Sequence, residues 1–143
     1  MNYEDYIDII EKLKNSNDLV EKEKIMNSSI NESLIPMIEP KLIELIKIKY
    51  QNSVNKMVSN LEIIFSDKYN LDQYLVNFKK EINFIYDLTK IKELTEENRK
   101  LMQDMVKNET KKVYNILIDK ANAIDITGVL GMTIKNNEIK WGE

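Results

Sequence analysis

The chain of 143 residues contains neither histidine nor cysteine. The first absence removes imidazole general-base catalysis, Ser-His-Asp triads and the Glu-x-x-His pairs of di-iron bundles. The second removes thiolate chemistry and any disulfide framework, and together they leave no Cys or His set for zinc. Glycine occurs 3 times and proline 2 times, too few to punctuate many short strands, so long helices are expected. No run approaches the roughly 20 apolar residues that span a bilayer. The start, Met1-Asn2-Tyr3-Glu4-Asp5, is acidic, unlike the basic opening of a secretory signal. A cytoplasmic protein is the expectation. Arg99 is the only arginine among 21 basic residues; with abundant isoleucine and asparagine, this suggests an A/T-rich bacterial or mobile-element genome.

What is present suits one domain with a real core: 43% hydrophobic and 31% charged residues, with a net charge of -3. So small an acidic surplus gives no general attraction to nucleic acid or anionic lipid.

Tyr3, Tyr6, Ile7, Ile10 and Leu13 recur at helical spacing, predicting a short helix over 3–14. Asp18 and Glu21 form a capping-box pattern for a second short helix reaching about residue 28. Pro36 and Pro40 oppose a continuous helix, and Pro40 suits a first turn. From Lys41 to about Ser66 one stripe is apolar: Ile43, Ile46, Tyr50, Val54, Met57, Leu61 and Ile64, widened at its start by Leu42, Leu45 and Ile48. Asn70 opens the next helix, which runs to about Glu93. Thr95 caps the last long one, with Met102, Met105, Val106, Val113, Ile116, Leu117, Ala121 and Ile124 on its buried side. Short connections make consecutive long helices antiparallel neighbours. At the end, Met132, Ile134, Ile139 and Trp141 alternate about Asn136-Asn137, which predicts a β-hairpin. The expected architecture is thus all-α: an antiparallel helical bundle of two short N-terminal and three long helices. Residues 1–143 form a single domain, with 128–143 as a hairpin tail.

For function, Gly128-Val-Leu-Gly131 has the wrong spacing for a phosphate-cradling loop. A Mg2+ enzyme needs carboxylates converging from facing helices, and the long helix from Lys41 offers only Glu44 and Glu62. No enzyme, cofactor or metal is expected. An isolated hairpin is marginal in water, so its apolar face must cover the bundle, a second copy or another protein. A non-catalytic protein-interaction module follows, such as a small adaptor, regulator or immunity-type protein. Its candidate contacts are Trp141, Ile139, Ile134, Met132, Tyr3 and Tyr6, and strand pairing across a two-fold axis would give a dimer. The alternative is a nucleic-acid-associated regulator using Lys100, Lys107, Lys111 and Lys112, although acids interleave with these lysines and no stacking aromatics do.

Overall fold

The computed structural model describes residues 1–141, and these form seven α-helices with no strand among them. They are α1 (Tyr3–Asn15), α2 (Leu19–Asn27), α3 (Ile35–Val58, entered through a 3-10 turn at Glu32–Leu34), α4 (Leu61–Ile64), α5 (Lys68–Leu88), α6 (Glu96–Ile124) and α7 (Val129–Asn136). The all-α class stands and the expected hairpin does not.

Side-chain caps start most of the helices. Asp18 accepts from the amides of Val20 and Glu21, Asp67 from Asn70, and Thr95 from Asn98. The α5 cap is therefore Asp67, three residues before the expected Asn70. α3 begins earlier than the prolines suggested. Pro36 occupies its first turn and Pro40 lies inside it, so the Pro36 carbonyl loses its usual i+4 donor. Burial of Ile38, Leu42, Leu45 and Ile46 at 0% exposure offsets that loss. α3 also ends earlier, at Val58, where Ser59 and Asn60 turn their side chains onto the Asn55 and Lys56 carbonyls.

Three polar contacts fix the register between α3 and α6. Asn98 donates to Glu39 at 2.7 Å, Tyr50 shares a buried hydrogen bond with Thr110 at 2.9 Å, and Lys120 meets Glu62, just beyond α3, at 3.2 Å. The partners are 59, 60 and 58 residues apart. A constant offset means that α3 and α6 run parallel. α5 returns between them, with Phe78 edge-on to Tyr114 and Thr89 near Gln103. α1 packs on α3, and α7 lies against both α5 and α6. Fully buried Leu13, Ile46, Leu75, Ile82, Val106 and Leu117 knit the layers into one core.

The end of the chain folds differently from its alternating pattern. Asp125 accepts from the amides of Thr127 and Leu130 and from the Thr127 hydroxyl, which organises the first turn of α7. Those bonds hold the Asp125 carboxyl below its usual range. Gly128 takes φ 80°, the left-handed conformation that glycine adopts freely, and the chain then coils into α7. Leu130 and Ile134, four residues apart, face the core, and Ile134 is 0% exposed. Met132 points outward at 64% exposure. A β face would have put Met132 and Ile134 on the same side. Beyond α7, residues 138–141 run without regular structure, and the last two residues of the expected tail lie outside the described residues.

Candidate functional site

The residues singled out in the sequence are distributed unevenly. Tyr6 is 0% exposed, and Tyr3 is half-buried against the core. The Tyr6 hydroxyl lies near the Glu93 carboxylate, yet neither Tyr6 Oη nor Glu93 Oε2 completes a hydrogen bond. Burial, helped by that carboxylate, raises the Tyr6 pKa, and burial raises that of Glu93. Ile139 and Trp141 are half-buried on their own bundle, where Trp141 lies 5.1 Å from the Tyr86 ring at 50°. The Tyr114 hydroxyl donates to the Asn137 carbonyl at 3.0 Å, and the Asn137 amide donates to the Thr133 carbonyl and to Asp72. The tail is thereby fastened along α5 and α6. Of the six tail and tyrosine candidates, Met132 alone is fully solvent-facing.

The four lysines divide by face. Lys112 pairs with Glu109 at 3.0 Å, while Lys100, Lys107 and Lys111 have no ion-pair partner among the described residues. Lys107 stands 5.5 Å from the Tyr86 ring, close to Trp141. The structure therefore joins Lys107 and Lys111 to the tail tryptophan, although sequence spacing alone placed no aromatic among them.

Two further features were not legible beforehand. One is a polar cleft of about 640 Å3 at the C-terminal end of α1, which includes Lys14, Lys49, Asn52, Lys56 and Glu81. Its ammonium groups are already engaged. Lys49, 8% exposed, donates to the Leu13 and Ser16 carbonyls at 2.7 and 3.3 Å, capping α1, and burial lowers its pKa. Lys56 pairs with Glu81 at 2.6 Å, and Lys14 with Glu11 at 3.1 Å.

The other is an apolar groove of about 650 Å3 between the parallel helices α3 and α6. Ile48, Val54 and Val58 form one wall, and Met105, Val113 and Ile116 the other. Ile48 and Ile116, expected in the core, are 36% and 45% exposed. Tyr50 and Thr110 close the floor with their hydrogen bond, and burial pushes the Tyr50 pKa up to about 12. Glu109 and Lys112 pair with each other on the rim. Lys47 opposite them has no ion-pair partner among the described residues, so the uncompensated rim charge is positive.

No family model, curated protein or solved structure matches this chain.

Proposed function

We propose that this protein is a non-catalytic interaction module that receives an amphipathic helix of another protein in the α3–α6 groove. One observation carries the reading: aliphatic side chains from two parallel helices stay open to solvent along a shared trough. Ile48, Val58 and Ile116 are each partly exposed and share one trough, and such grouping favours a docked apolar surface. A trough along the seam of two parallel helices accepts a third helix, read through i, i+3, i+4 and i+7 anchors. The free charge of Lys47 selects a partner helix with an acidic flank.

The test is site-specific photo-crosslinking in cells of the source organism. A crosslinker replacing Ile116 should trap a single protein through a helical segment with acidic residues beside its apolar face. Ile48→Asp should abolish the product, and a crosslinker at Lys79, remote from the groove, should not form it. Crosslinking only to a second copy of this chain, or a product indifferent to Ile48→Asp, would overturn the reading.

A further inference from the structure

The other side of α6 carries a second surface. Successive residues of an α-helix turn by about 100°, so Lys107 and Lys111 lie well away from Met105, Lys112 and Ile116 of the groove. There α7 and the tail lay Trp141 onto Tyr86, and two ammonium groups flank the same ring, Lys90 at 5.4 Å and Lys107 at 5.5 Å. A cleft of about 360 Å3 opens beside them between α6 and the tail, lined in part by Lys107, Lys111, Tyr114 and Trp141. Among the described residues, Glu138 is the one carboxylate in that lining.

We infer that this patch binds single-stranded nucleic acid. Lys107 and Lys111 have no ion-pair partner among the described residues, so their charge is available to phosphates. Trp141 is only half-buried and offers an aromatic surface beside those charges. Both elements are needed. Phosphate contacts supply affinity for any polyanion, whereas stacking requires an unpaired base, which a duplex does not present. An acidic peptide would satisfy the lysines and leave the indole without a stacking partner. The patch is independent of the α3–α6 groove, so each reading can fail without the other.

The chain reports on this site by itself, because Trp141 is its single tryptophan. Titration of the full-length protein with a short deoxythymidine oligomer at low salt should quench the Trp141 emission to saturation. With two or three phosphates engaged, affinity should fall roughly tenfold between about 50 and 200 mM salt. The double variant K107Q/K111Q should lose most of the affinity, and K107R/K111R should keep it. Both should retain the helical circular dichroism of the native chain. Absence of quenching at low salt, equal binding of duplex or of poly-glutamate, or full affinity in K107Q/K111Q would each overturn the inference.

Discussion

The two open faces of α6 differ in how they meet water. Toward α3 the helix presents Met105, Val113 and Ile116 along a trough whose rim acid is already paired. Toward the tail it presents Lys107 and Lys111 beside an indole. On the reading proposed above, the first surface would gain mainly by excluding water, and only the Lys47 contribution should respond to salt. The second, on the inference drawn above, would gain by displacing counterions and should weaken as salt rises. One helix can support both because Leu117, Val106 and Ala121 anchor it from the core side, leaving the flanks free to diverge.

The strongest way to break this comparison is to loosen the shared anchor. Leu117→Ala should cost about 2–5 kcal/mol of unfolding free energy, read by urea denaturation, and degrade both surfaces together. Next comes the floor of the trough. Tyr50→Phe strands the buried Thr110 hydroxyl and should cost about 1–2 kcal/mol. Its effect should reach helix binding while the response of Trp141 to oligonucleotide stays intact.

Glu93, buried in the turn before α6, sharpens the contrast as a control that lines neither face. Its folded pKa is raised by burial, so the stability it contributes is complete below the ordinary carboxylate range and is lost as pH rises through the folded pKa. Glu93→Gln should therefore melt higher than the native chain at neutral pH, and the gap should close on acidification. Neither binding activity should change. The smallest effect belongs to Ile116→Asp: at an exposed position it should shift stability by no more than about 0.5 kcal/mol, yet eliminate the groove crosslink.

Much of this fold is legible in the residues because helical periodicity runs long. Over α5 and α6 many turns repeat the same stripe, and Asp18 and Thr95 announce their helix starts by chemistry. The tail misleads because it is short. From Leu130 to Ile134 an alternating pattern and an i, i+4 pattern share the same end points, so periodicity alone favours neither. What decides is the Asp125 cap with Gly128, whose role depends on α5 and α6 being close enough to receive Ile134. The groove was hidden for a related reason. Ile48 and Ile116 sit at the margins of apolar stripes, and only the parallel register of α3 and α6 leaves those margins facing each other across open space. Tyr86 likewise acquires a role only once the tail has folded back upon it.

Arg99 donates to the Thr89, Ile91 and Leu94 carbonyls at 3.1, 2.9 and 3.2 Å, and pairs with Glu96, tying the α5–α6 turn to the start of α6. A planar five-donor fork suits several carbonyls at once, and a lysine there would offer a single point charge. Amine-directed acylation attacks lysines and leaves guanidinium untouched. The surface of this protein can therefore be stripped of most of its positive charge by reagent alone while the joint between its two longest consecutive helices keeps its original chemistry.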